Sequence, residues 1–242
     1  MFGWWNNKKE NFLKVDIHSH LIPGIDDGVK TLEESISVIK KLVSFGIEKI
    51  ITTPHILSGY YPNTPDIIKS GLEKVRQEIK EQQIEVVIEA AAEYYLDESL
   101  VAKVDNGESL LSFGIDRYVL VETGFMTKPL NTSDTFFRII TNGYKPILAH
   151  PERYAYLSDD FGYLEELKKI GVLMQVNALS LIGHYSSEVR SRAEKLIKNE
   201  MVDFIGSDVH NLRHAYYFKK VIASRLFQDC KQLNLLNNAL LE

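Results

Sequence analysis

Residues 15–20 read VDIHSH, a short β-branched run that gives way to two histidines one residue apart. The same form recurs at IEKIITTPH (47–55), EVVIEAAAEYY (85–95), RYVLVET (117–123), KPILAHPER (145–153), VLMQVN (172–177) and DFIGSDVH (203–210). Several of these seven runs are almost continuously apolar, as strands buried on both faces are. Amphipathic segments separate them, and that alternation predicts repeated βα units around a parallel sheet.

The helical segments have readable ends. TLEESISVIKKLVSFG carries apolar residues at helical spacing, opens with a capping-box pair at Thr31 and Glu34, and closes at Gly46. PDIIKSGLEKVRQEIKEQ, TSDTFFRIITNG, FGYLEELKKIG, SSEVRSRAEKLIKNE and the C-terminal HAYYFKKVIASRLFQDCKQLNLLNNALL read as amphipathic helices too. No composition break marks a linker, so one domain of 242 residues is the expectation, with residues 1–14 as an N-terminal extension and 15–242 as an α/β barrel.

Composition narrows the function. With 33 acidic against 28 basic residues, a net charge of -5 and no basic block, the chain carries no electrostatic footprint for nucleic acid. Apolar runs are far shorter than the roughly 20 residues needed to span a bilayer. The N-terminus lacks a signal-peptide h-region, which makes the cytoplasm the expected location. Trp4 and Trp5 are expected to strap across the barrel, with contact to a neighbour or a membrane surface as the competing reading, and the lone Cys230 to be a packed, unreactive thiol.

The polar residues fall at the strand ends: His18 and His20, His55, Glu93, Glu122, His150, Asn177, then Asp208 with His210. In a parallel barrel all strand C-termini meet at one face, so residues from 18 to 210 would converge there. A lone His-x-His is weak evidence; the weight lies in the set. Carboxylates and imidazoles gathered in one desolvated place resist one another without a cation, and a mixed nitrogen and oxygen set suits Zn²⁺, Mn²⁺ or Fe. Too many ligands are present for one tetrahedral ion, which points to a multinuclear centre of the kind that hydrolyses phosphate esters. Arg153 supplies a planar fork for phosphate, with a surface ion pair to Glu152 as the competing reading. Asp26 and Asp27, in GIDDG, read equally as an Asx-type turn or as a lean of Asp27 into the site. The Gly-, Pro- and Tyr-rich ILSGYYPNTPD after His55 reads as a mobile loop over the site or a plain surface connection.

Taken together, VDIHSHLIPGIDDG, TTPH, AAEYY, LVET, AHPERY, QVN and SDVHN resemble the polymerase-and-histidinol-phosphatase (PHP) superfamily, and within it the bacterial manganese-dependent protein-tyrosine phosphatases of capsule and exopolysaccharide clusters. The resemblance implies a distorted (β/α)₇ TIM-like barrel with three metal ions, Mn²⁺ foremost and Zn²⁺, Fe or Mg²⁺ as alternative occupants. By that likeness one ion takes His18, His20, Glu93 and Asp208. A second takes Glu93 as a bridge with Glu122 and His150, and a third takes Asp27, His55 and His210. Arg153 matches the family's phosphate-binding arginine. Where related enzymes often carry Arg-Pro-Pro after SDVHN, this chain runs LRHAYY, so Arg213 is the candidate second substrate-binding arginine. The implied substrate is phosphotyrosine in protein, in the tail of a membrane-bound tyrosine kinase; assembly into a homo-oligomer stays open. A small-molecule phosphatase of the histidinol-phosphate type and a non-catalytic metal-binding adaptor are the rival readings.

Overall fold

A computed structural model describes residues 11–130, 132–157 and 161–241, so the expectation for Trp4 and Trp5 lies outside the described residues. The elements run β1 (Val15–Asp16), α1 (Leu32–Val43), β2 (Lys49–Thr52), β3 (His55–Ile56), α2 (Pro65–Glu81), β4 (Val87–Ala90), β5 (Glu93–Tyr95), α3 (Glu98–Asp105), β6 (Tyr118–Glu122), α4 (Thr132–Thr141), β7 (Lys145–Ala149), α5 (Gly162–Lys169), β8 (Leu173–Asn177), α6 (Ser187–Lys198), β9 (Phe204–Gly206), α7 (Leu212–Ala223) and α8 (Arg225–Asp229). Every strand pairing is parallel, in two sheets ordered β1-β2-β4 and β3-β5-β6-β7-β8-β9.

Two of the runs read as single strands are each divided. Between β2 and β3 stands Pro54, which has no N–H to continue a ladder, and opposite it Ala91 and Ala92 separate β4 from β5. Past the ends of β1 and β9 a parallel bridge joins Ser19 to Val209. There His20 N donates to Val209 O at 3.0 Å and Asp208 N to His18 O at 2.8 Å. The first and last runs therefore meet, although the strands do not merge into one closed sheet. His18 and His20 lie in this bridged segment beyond β1, not within the strand itself.

Helix ends follow local chemistry. Thr31 caps α1 by accepting from Glu34 N, while the Glu34 carboxylate accepts from Lys30 N at 3.0 Å. The long C-terminal segment read as one helix is broken: Ser224 leaves helical geometry, accepts from Phe227 N and starts α8, and two short 3-10 turns follow. A further helix, α3, not among the segments predicted above, starts where its cap Asp97 accepts from Leu100 N.

Strand parity sorts the core. Val119, Val121, Leu148, Val176 and Ile205 face the helices in the large apolar cluster. Their neighbours Leu120, Ile147, Ala149 and Phe204 join Val15, Ile51 and Ala91 in a second, smaller cluster inside the ring of strands, with Phe113 and Leu240. Continuing the same alternation upward, Glu93 follows Ala91 and Glu122 follows Leu120, so the inner row turns from apolar to ionisable at the strand C-termini. Cys230 is buried, as expected, with its thiol 3.1 Å from Leu226 O.

Candidate metal centre

The donors gather at the upper ends of the strands or in the turns just beyond them. Glu93 opens β5 and Glu122 ends β6, while His150 and Asp208 follow β7 and β9 in left-handed backbone, at φ 33° and 51°. Such conformations are uncommon for residues other than glycine and gather at functional sites. They turn the chain sharply as it leaves the sheet. Gly206 lets that turn approach the first strand: a Cβ there would lie 2.6 Å from His18 Cβ. Below the donors, buried Asp16 accepts from Ser207 N at 2.8 Å and from the Ser207 hydroxyl, tying the segments that carry His18 and Asp208. Burial pushes the Asp16 carboxyl up to about 6.

All nine predicted ligands come together. Their donor atoms form four groups, each within 4.8 Å: His20, Asp27, His55 and His210; His18, His150 and Asp208; His18, His20 and Glu93; and His55, Glu93 and Glu122. The buried Glu93 is shared. Its Oε2 lies 3.1 Å from His18 Nε2, 3.4 Å from His20 Nε2 and 3.1 Å from His55 Nδ1, while its Oε1 lies 3.0 Å from His150 Nε2. Asp27, half exposed, places one oxygen 3.4 Å from both His55 Nε2 and His210 Nε2. The grouping differs from the implied one: His55 rather than His150 falls with Glu93 and Glu122, Asp208 falls with His18 and His150, and His20 joins Asp27, His55 and His210, although His150 Nε2 is 3.9 Å from Glu122 Oε2.

The surroundings fit a cation. His18 Nδ1 is 2.9 Å from Gln175 Oε1, and His20 Nδ1 is 2.8 Å from Asp26 Oδ2. Because a carbonyl and a carboxylate only accept, both rings carry a proton on Nδ1 and turn Nε2 inward, the arrangement that orients metal-binding imidazoles. His55 Nδ1 faces two carboxylate oxygens at 3.0 and 3.1 Å yet makes no hydrogen bond of good geometry. The electrostatics agree. Burial alone would push His18 and His20 down, but for His18 the Glu93 and Asp208 charges win, and for His20 the bonds to Asp208 and Asp26; both end above the usual histidine range. For His55 burial is likewise outweighed, chiefly by the Glu93 charge, and its pKa rises to about 10. Burial would raise Glu93 and Asp208, but the His18 charge and others hold both well below the usual carboxylate range. Positive charge is what this donor set lacks, and divalent ions supply it without protonating the ligands.

All of these donors but His18 and His20 border a cavity of about 330 Å³, lined also by Phe125, Arg153, Tyr185 and His214. Arg153 does not form a surface pair with Glu152, which is fully buried and accepts from Asn177 N (2.9 Å) and the Ser180 hydroxyl (2.6 Å). Arg153 turns inward, with Nη1 3.1 Å from Asp208 Oδ2. Arg213 does not line the cavity; it is exposed on the first turn of α7 and donates to Tyr217 OH. After His55 the loop folds into a tight turn, Leu57 bridging Tyr61, and the Tyr61 ring stacks on His55 at 5.4 Å and 13°.

Several site residues escaped the sequence reading. Asp26 makes the expected Asx-type turn to Gly28 N (2.9 Å) while its other oxygen serves His20 and the His55 amide. Gln175, Phe125, Tyr185 and His214 had no spacing signal beyond proximity to a strand end or a ligand. Gln175 alone was findable, two residues before Asn177 on one face of β8.

The family described as "Capsular polysaccharide synthesis, CpsB/CapC" matches residues 14–221. The chain is 30% identical over 217 residues to a putative tyrosine-protein phosphatase, CapC, of Staphylococcus aureus, covering 90% of this chain and 83% of that protein. It superimposes with a TM-score of 0.81 on a chain from the crystal structures of YwqE from Bacillus subtilis and CpsB from Streptococcus pneumoniae, described as unique metal-dependent tyrosine phosphatases, at 26% identity over 93% of this chain and 90% of that one. A histidinol phosphate phosphatase from Lactococcus lactis, at 12% identity and a TM-score of 0.53 over 87% of this chain and 92% of that one, shares the fold alone.

Proposed function

The chain belongs to the CpsB/CapC capsular polysaccharide synthesis family, and from that premise we propose that it is a metal-dependent phosphatase hydrolysing phosphotyrosine in protein. The observation that carries the reading is Glu93, one buried carboxylate whose two oxygens divide four imidazoles between them, at a cavity bordered by the Arg153 guanidinium. His18, His20, Glu93 and Asp208 would hold one ion, Glu93, Glu122 and His150 a second, and Asp27, His55 and His210 a third, with Mn²⁺ the foremost occupant. Bound divalent ions supply Lewis-acid polarisation of phosphoryl oxygens and acidify a coordinated water. Gln175 and Asp26 hold the imidazoles of His18 and His20 in register. Arg153 binds phosphoryl oxygens through its fork and offsets the charge that grows on them during in-line displacement. No cysteine nucleophile takes part, since the one cysteine, Cys230, is buried in the short 3-10 turn after α8.

Residues 15–242 form the hydrolase in this reading, and 1–14 precede it. The substrate is the tyrosine-rich tail of a membrane-bound kinase controlling polysaccharide polymerisation, which puts the reaction in the cytoplasm; no helix among the described residues is long and apolar enough to cross a membrane. Turnover of a phosphotyrosine peptide and of histidinol phosphate, with and without Mn²⁺ after chelation, tests the assignment. Mn²⁺-restored hydrolysis of the peptide in preference to histidinol phosphate is expected, and the reverse preference, or activity indifferent to chelation, would overturn it.

A further inference from the structure

Arg153 is flanked by aromatic rings. Its guanidinium carbon lies 4.6 Å from the ring centre of Phe125 and 4.3 Å from that of Tyr185. Both rings are themselves fixed. Phe125 packs near His150 and Tyr154, and its carbonyl accepts from Ala155 N at 2.7 Å. Tyr185 reaches Asp208 Oδ2 through its hydroxyl at 3.2 Å and meets the Asn177 side-chain amide at 3.2 Å. Asp208 is thereby divided. Its Oδ2 takes Arg153, Tyr185 and Asn177, while its Oδ1 faces His18 (3.4 Å), His20 (3.5 Å) and His210 (3.4 Å).

We propose that Phe125 and Tyr185 are positioning residues that clamp Arg153 for phosphate, and that the Tyr185 hydroxyl also orients Asp208 so that only Oδ1 faces the metal donors. This rests on the phosphatase reading above and adds two residues of separate effect. An arginine side chain has many rotamers, and holding its fork before substrate arrives removes an ordering cost from phosphate binding. Stacking over aromatic faces does this without using the N–H groups that phosphate needs. Three donors on Oδ2 in turn leave one carboxylate oxygen for an ion, as ligands oriented by outer partners are.

The test uses the full chain loaded with Mn²⁺ and inorganic phosphate as probe, because phosphate has no aryl ring to contact Phe125 directly. Calorimetric phosphate affinity should fall roughly fivefold in Phe125→Leu and in Tyr185→Leu. Neither change should weaken affinity further when Arg153 is already alanine, since the rings act through that side chain. Tyr185→Phe keeps the ring and the fold: phosphate affinity should hold, and Mn²⁺ affinity, followed by electron paramagnetic resonance, should drop about tenfold. Unchanged phosphate affinity in both leucine variants, with Arg153→Ala weakened, would overturn the clamp while leaving the phosphatase reading intact. Equal losses with and without Arg153 would overturn it too, and wild-type Mn²⁺ affinity in Tyr185→Phe would overturn the role given to the hydroxyl. If Arg153→Ala itself bound phosphate normally, the reading beneath the clamp would fall with it.

Discussion

The two ends of the inner strand row are made by the same backbone and do opposite work. At the bottom, Ile51, Ala91, Leu120, Ile147 and Phe204 close on one another with full burial and no polar atom. At the top, two to four residues further along the same runs, Glu93, Glu122, His150 and Asp208 are almost as deeply buried, and their carboxylates repel one another unless positive charge is supplied. Burial thus stabilises the lower end, whereas the upper end is held against its own electrostatics by Asp16, Gln175, Asp26 and Asn177. Stability and chemistry should therefore respond to different substitutions.

The comparison is broken most strongly from below. Phe204→Ala should cost about 3–5 kcal/mol in urea denaturation, as large aromatic deletions in cores do, while molecules that remain folded keep their turnover. From above, His150→Ala should lower kcat on aryl phosphates with Mn²⁺ supplied by roughly 10²–10³-fold, the scale for losing one pre-organised charge-stabilising group, and leave the melting temperature of metal-free protein unchanged. Between the two lies Gly206→Ala, whose methyl would press on His18. It should cost about 1–3 kcal/mol by overpacking and, unlike either other change, reduce stability and activity together.

How much of this could be read beforehand follows from the same division. All the donors but Asp27 were legible because they lie at or near the end of an apolar run, and a ligand's place in a barrel is set by where its strand stops. What failed depended on contacts between distant segments. Tyr185 and Phe125 meet only across Arg153, and nothing in HYSS or TGFM announces it. Arg213 sits near the donors in sequence, yet helix α7 turns it to solvent. Some misses were readable: Pro54 marks the break between β2 and β3, Ser224 caps a new helix, and Asp97 opens α3. VDIHSH reads as one strand, yet β1 ends at Asp16, so His18 and His20 stand in the bridged segment beyond it.

The smallest effect concerns Cys230. Burial, helped by the Asp229 charge, pushes its thiol up to about 12, so almost no thiolate exists at pH 8 in the folded chain. Native protein should leave a disulfide-exchange reagent unreacted at that pH, and denatured protein should consume one equivalent at once; fast native labelling would contradict the burial of the thiol.

The most direct test of the account is a count of ions at the top of the barrel. Anomalous scattering from crystals grown with Mn²⁺ should show more than one peak inside the cavity, with Glu93 between them and His18, His20, His55, His150 and His210 around them. A single ion, or none, would contradict the claim that this ring of strand ends exists to hold a multinuclear centre.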